Sequence, residues 1–176
     1  QEIGDRLTAN AKSRLVFLGW MDAGTRNLIT KNPVVKPEDL HGMKIRVQGS
    51  PIALDTLKAM GANSVVMGVS EVFSGMQTGV INGTENNPPT FVAHNYLPVV
   101  KNYTWSKHFI IPELFLFSKA KWDKLKKEDQ DLIIKLAKEA QVEQRKLWQD
   151  YNAKSLETMK ANGVQFHDID TDYFYK

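Results

Sequence analysis

Lys44-Ile45-Arg46-Val47-Gln48 alternates polar and apolar residues, the period-two signature of a strand with one buried face. Ile45 and Val47 point one way; Lys44, Arg46 and Gln48 point the other. Ser50 is placed to cap a helix with Pro51 at its first position; that helix carries Ile52, Leu54, Leu57 and Met60 and stops at Gly61. Val65-Val66-Met67 predicts a second strand. Ser70 is expected to cap a second helix, with Glu71 in its first turn and Val72, Phe73 and Met76 on its apolar face, ending at Gly79. Val80-Ile81 then reads as a short strand leading into the turn dipeptide Asn82-Gly83. Strand, helix, strand, helix, strand argues for a parallel or mixed sheet with helices packed on it.

The flanking segments extend this pattern. Gln1 to Ser13 reads as the end of a helix and Leu15–Trp20 as a buried strand. Asp22–Asn27 reads as a glycine-punctuated loop and Pro37–Leu40 as a short helical turn. Pro88-Pro89 start a helix bearing Phe91, Val92 and Tyr96. His108–Ile111 and Leu114–Phe117 are strand candidates, and Ser118 is placed to cap a short helix with Trp122 and Leu125. From Glu128 to about Asn162 a helical pattern runs through Leu132, Ile133, Leu136, Leu147, Trp148, Tyr151, Leu156 and Met159. Its length would be about 50 Å. Its heptad is irregular, so it predicts a span across more than one lobe rather than a coiled coil. The expected organisation is an α/β lobe over residues 1–127, with partial strands from a second lobe, and a long spine helix with a C-terminal segment over residues 128–176.

Composition narrows the class. The chain has 176 residues, 42% hydrophobic and 24% charged, with a net charge of +3 and no cysteine. That excludes disordered, collagen-like and disulfide-scaffold extremes, thiol nucleophiles and Cys-based zinc sites. The charge is too small and too dispersed to point to nucleic acid. No apolar run approaches the ~20 residues of a membrane span. The chain opens on Gln1 without a recognisable secretion signal.

Ligands of open α/β sheets sit beyond the carboxyl ends of strands. The first strand delivers Arg46 and Gln48 there, and the third delivers Thr84-Glu85-Asn86-Asn87. Arg46 reads either as a solvated arginine on an exposed face or as an anion clamp, since a guanidinium offers parallel N–H donors matched to a carboxylate. Arg26, in its loop, is a weaker case of the same kind. Thr84–Asn87 reads either as a turn or as an amide and carboxylate patch orienting a polar ligand. His41, His94, His108 and His167 lack metal-ligand spacing, so no metal is expected. Glu71 and Glu85 could form a glycosidase pair, but helix-start and loop roles explain them equally well. Lys119, Lys121, Lys124, Lys126 and Lys127 form a basic run that reads as a solvated face, or else as a docking patch for a partner. Pattern alone thus reaches an α/β unit that binds an anion, without catalytic apparatus or cofactor.

Several motifs together resemble the solute-binding proteins of TRAP transporters, the DctP family. They are Gly24-Thr25-Arg26-Asn27, Pro37–Val47, Leu57–Asn63, Ser70–Val80, Asn82–Asn87 and Trp122–Leu125. The resemblance implies a periplasmic binding protein-like fold of two lobes that closes on an organic acid and hands it to membrane permease subunits. It implies that Arg46 forms a salt bridge to the ligand carboxylate, that Arg26 is a second carboxylate partner in some members, and that Asn86 contacts the ligand. It places Val69 where an aromatic wall often stands. Gln48, Ser50, Glu85, Asn86, Asn87 and Glu113 add many polar groups, which suits a sugar acid such as glucuronate or galacturonate better than a C4-dicarboxylate. Family members have a further N-terminal half, so the expectation is a fragment that binds ligand weakly alone and self-associates. A sugar-acid-processing enzyme and a ligand sensor of the same fold are the alternatives.

Overall fold

The computed structural model describes residues 2–10, 14–170 and 172. In chain order the elements are α1 (Glu2–Asn10), β1 (Leu15–Met21), β2 (Thr25–Thr30), a 3-10 turn (Pro37–Leu40), β3 (Lys44–Val47), α2 (Pro51–Ala59) and β4 (Asn63–Val66). A second 3-10 turn (Val69–Glu71), α3 (Val72–Thr78), β5 (Gly83–Asn86), α4 (Pro88–Ala93) and β6 (Asn102–Ile110) follow. β7 (Glu113–Ser118), α5 (Lys119–Trp122), α6 (Lys127–Ala161) and β8 (Gln165–Asp168) complete the chain. Two units emerge, each from two stretches: Gln1–Gly24 with Ile111–Asp150, and Thr25–Ile110 with Tyr151–Lys176. α6 runs from the first into the second.

In the first unit β1 pairs antiparallel with β7, Leu15 opposite Ser118 and Met21 opposite Glu113. Both strands are apolar almost throughout, so they pack around Leu18, Trp122 and Ala137, with Val16, Phe115, Phe117, Ile133 and Ile134 against them. Polar α6 side chains finish the job the strand cannot do alone. Trp20 N donates to Gln141 Oε1 at 2.8 Å, and Gln144 takes both the N–H and the carbonyl of Asp22, at 2.9 and 2.7 Å. Gly19 makes the first contact feasible, because a Cβ there would overlap the Gln141 amide. Leu132, Leu136 and Leu147 are each more than half exposed, so the apolar pattern of α6 is only partly a buried seam.

The second unit is a six-stranded mixed sheet in the order β4-β3-β5-β2-β6-β8. β3 is parallel to both β4 and β5, because helices carry the chain back between them. β2 inserts antiparallel to β5 and β6, and β8 closes the edge parallel to β6. One face packs Leu28, Ile45 and Val47 against Ala53 and Leu57 of α2 and Met60 at its C-cap. The other packs Ile29 and Tyr103 against Val72, Met76, Phe91 and Met159, from α3, α4 and the last turns of α6. A fully buried side chain of this kind contributes about 1.5–3 kcal/mol. The result is the α/β class with a mixed sheet, flanking helices and a long helix that the pattern predicts.

Local expectations differ in instructive places. Arg46 is buried, at 6% exposure, so both faces of β3 are covered and the solvated reading fails. The loop assigned to Asp22–Asn27 gives way at Thr25 to β2, because Asn27 finds buried partners for its polar side chain. Thr84–Asn86 is not a turn but most of β5, and the strand read at Val80-Ile81 is absent: there the chain winds off α3 through Gly79 at φ 81°, with Ile81 N bonded to Gly75 O. Ser70 lies inside a 3-10 turn and does not cap α3; Glu71 holds the N-cap position, and its carboxylate accepts from Gly68 N. Ser50 and Ser118 stand at N-cap positions without donating or accepting a capping bond. The helix read over Gln1–Ser13 is α1; position 1 and positions 11–13 lie outside the described residues. β8 and the first half of β6 had no sequence counterpart.

Candidate functional site

Strand directions gather the polar residues. Because β2 runs antiparallel to both β5 and β6, the start of β2 and the end of β6 fall at the same end of the sheet as the carboxyl ends of β3, β4 and β5. The register confirms this, with Asn27 opposite Asn86 and Arg26 opposite Phe109. Arg26, Arg46, Glu85, Asn86 and His108 therefore meet at one edge of the second unit.

Arg46 is held between β4 and β5. Its Nε donates to Met67 O at 2.8 Å, and Thr84 Oγ1 donates to Arg46 O at 3.3 Å. No carboxylate among the described residues lies within salt-bridge distance of it. The two terminal nitrogens have no acceptor among the described residues, and the nearby Tyr96 keeps its proton because burial raises its pKa. Burial pulls the Arg46 pKa below its ordinary value, with Tyr96 and Glu85 pulling the other way and Arg26 adding to the depression. A guanidinium nevertheless stays protonated in proteins. The side chain is largely buried while its end-on donor pair stays accessible, which leaves that pair able to meet a carboxylate.

Arg26 is the opposite case. Nε donates to Glu85 Oε2 at 2.5 Å, and Nη2 donates to Glu85 Oε1 at 2.8 Å and to Glu85 O at 3.0 Å. Glu85 is fully buried. Burial pushes its carboxyl up, but the hydrogen bonds from Arg26 and the approach of His108 outweigh this and hold it below the usual carboxylate range. His108 Nδ1 shares a hydrogen bond with Ser106 Oγ at 2.8 Å, while Nε2 sits 3.4 Å from Glu85 Oε2, too far off line for a hydrogen bond.

A second buried network braces the edge. Asn27 Nδ2 donates to Tyr103 Oη at 3.0 Å and to Thr25 O, and Asn27 Oδ1 accepts from Lys107 N at 2.9 Å. Tyr103 Oη in turn donates to Asn86 O at 3.2 Å. Lys107 adopts φ 47°, in the left-handed region, and the β2–β6 register shifts there. Asn27 and Ser106, whose Oγ accepts from Leu28 N, fasten this bulge, which brings His108 to Glu85. Bulges re-aim side chains in this way at many functional sites.

The remaining sequence candidates separate. Gln48 follows β3 and is exposed, Ser50 is half-buried at the start of α2, and Val69 is 47% exposed in the 3-10 turn. Asn86 is half-buried and turns its Oδ1 to Asn87 N at 2.9 Å. Asn87 caps α4, accepting from Thr90 N at 2.9 Å, which gives that carbonyl oxygen a structural duty. Glu113 is exposed at the start of β7 and belongs to the other unit. Glu71 lies outside the cluster around Glu85, bonded to Gly68 N, and the two carboxylates have different local partners. Sequence reasoning missed His108, Asn27, Tyr103, Ser106 and the Met67 carbonyl. An asparagine directly before the apolar pair Leu28-Ile29 is the one signal that could have flagged Asn27; nothing local flags the others. Among the described residues no group of three His, Asp or Glu side chains could hold a metal ion, and no helix is long and apolar enough to cross a membrane.

Comparison with known proteins fits this geometry. A TRAP periplasmic solute-binding protein from Citrobacter koseri, solved with bound D-glucuronate, is 76% identical and superposes with a TM-score of 0.94, over 99% of this chain and 58% of that one. One from Pseudomonas putida F1, also with bound D-glucuronate, is 50% identical with a TM-score of 0.95, over 99% and 57%. A curated solute-binding protein from Chromohalobacter salexigens is 34% identical over 171 residues, 96% of this chain and 51% of its own length. The chain thus spans about half the length of the relatives it matches. The model of bacterial extracellular solute-binding protein family 7 matches residues 1–175, and the chain belongs to that family, DctP.

Proposed function

We propose that this chain is part of the periplasmic solute-binding subunit of a TRAP transporter that takes a hexuronate such as glucuronate or galacturonate and delivers it, unchanged, to the membrane permease. The observation that supports it most is Arg46: a buried side chain near the end of β3, fixed through Nε, with both terminal nitrogens unpaired among the described residues. That end-on pair matches the two oxygens of one carboxylate. Asn86 at the end of β5, and Gln48 and Ser50 in the segment after β3, are candidate donors and acceptors for sugar hydroxyls. A binding protein differs from an enzyme in saturating without turnover.

The test is calorimetric titration of the full-length gene product with glucuronate, galacturonate and succinate, for wild type and Arg46→Ala. One hexuronate should bind tightly, and Arg46→Ala should weaken it by ~2–5 kcal/mol, since it removes one partner of a buried charge pair. Tight binding of succinate with no uronate bound would overturn the reading. So would product formed on prolonged incubation.

A further inference from the structure

Among the described residues, Nε2 of His108 is the one buried side-chain nitrogen or oxygen without a hydrogen bond. The side chain is 4% exposed, and Nε2 lies 3.4 Å from the Glu85 carboxylate. Nδ1 is served by Ser106 Oγ, which also accepts from Leu28 N and so keeps its own hydrogen for the ring. The neutral ring therefore holds its hydrogen on Nε2, facing Glu85, and accepts from Ser106 at Nδ1. A proton arriving at Nδ1 needs no movement of the ring: the hydroxyl turns, and Ser106 Oγ accepts where it had donated. The other charged groups at this edge are Arg26 on β2, Arg46 on β3 and Glu85 on β5. On β6 itself Lys107 is exposed and burial keeps Tyr103 protonated, as it does Tyr96 beside Arg46.

We infer that the site takes up a proton together with its acid: His108 becomes imidazolium as the carboxylate docks, so affinity rises as pH falls through the range in which histidine titrates. This rests on the sugar-acid reading above and deepens it. Arg26, Arg46 and Glu85 sum to one positive charge, which opposes a second on His108. A carboxylate docked on Arg46 cancels that charge, and the ring then gains its proton at lower cost. Linkage makes the effect reciprocal: whatever the carboxylate adds to proton affinity, the proton adds to carboxylate affinity. Imidazole is the side chain suited to this, since its charge changes at physiological pH. The proton comes from solvent and goes to Nδ1. It is not exchanged with the ligand's own carboxyl, which titrates far lower, at about pH 4. Glu85 faces the imidazolium through Nε2 and stays ionised throughout, because its carboxyl is held below the ordinary range.

The experiment is calorimetric titration of the full-length gene product with D-glucuronate and D-galacturonate across the histidine range, in paired buffers of different ionisation enthalpy. The paired buffers report protons taken up on binding, a quantity that a merely structural role would not move. Wild type should bind its uronate about threefold or more tightly at about pH 6 than at about pH 8, and should take up a fraction of a proton on binding near neutral pH. His108→Gln should take up none, and its affinity should be flat over the same range. A variant with His41→Gln, His94→Gln and His167→Gln, which keeps His108, should retain the wild-type uptake. Wild-type affinity independent of pH, or uptake that survives in His108→Gln, overturns the inference while leaving the sugar-acid reading intact. Should His108→Gln fail to fold, the triple variant decides: loss of uptake there overturns it, and so does a His108 ring whose nitrogen resonances stay those of the neutral form when uronate is added at about pH 6. Wild type that binds neither uronate at any pH overturns the sugar-acid reading itself.

Discussion

The two units use charge in opposite ways. In the first, Lys119 pairs with Asp123 and Lys127 with Asp131, each one helical turn apart and each exposed to water. Its buried interior around Leu18, Trp122 and Ala137 is apolar, and glutamine amides supply its long-range polar ties. In the second, Arg26, Arg46 and Glu85 are drawn into the interior at the end of a sheet. Removing a charge from water is expensive, so a protein keeps one buried only where something else is gained. Arg26 and Glu85 compensate each other. Arg46 has no such partner among the described residues, and that imbalance sets it apart from Arg26.

The largest effect that could break this comparison is on stability. Glu85→Ala leaves Arg26 buried without its carboxylate and should cost ~3–5 kcal/mol, read as a fall in denaturation midpoint. Its pH dependence sharpens the point. The folded carboxyl titrates below its ordinary value of 4.5, so its contribution is present above that pH and is lost as pH falls through the lower folded value. The gap between wild type and Glu85→Ala should therefore narrow in acid; a gap independent of pH would deny the ion pair its role. Arg46→Ala should behave differently, with the affinity loss given above and little loss of stability, because the variant discards a desolvated and unpaired charge. Equal damage to folding would make Arg46 a structural residue.

A smaller effect separates capping from ligand contact at Asn87. Asn87→Ala removes the bond to Thr90 N and should cost ~0.5–2 kcal/mol of stability by chemical denaturation. If affinity falls by more than stability does, Asn87 also reaches the ligand. The smallest effect belongs to the first unit. Asp123→Asn breaks an exposed pair and should change stability by no more than ~1 kcal/mol. A larger loss would erase the contrast between the units.

The sequence alone was enough for the α/β class, the alternation from β3 to β4, the long α6 and the candidacy of Arg46, because each rests on local signals: period two, period 3.6, proline and glycine punctuation. The strand β2 was illegible because Thr25, Arg26 and Asn27 are polar, and their place inside a sheet depends on Glu85 and Tyr103, 59 and 76 residues away in sequence. The same distance hid His108, which reaches Glu85 only through a bulge fastened by Asn27 and Ser106. Sequence nominated Arg46 ahead of Arg26 but had no means of showing what each guanidinium is bonded to. Which guanidinium is spent and which is left open depends on directional bonds between strands far apart in the chain, and only the folded sheet decides that.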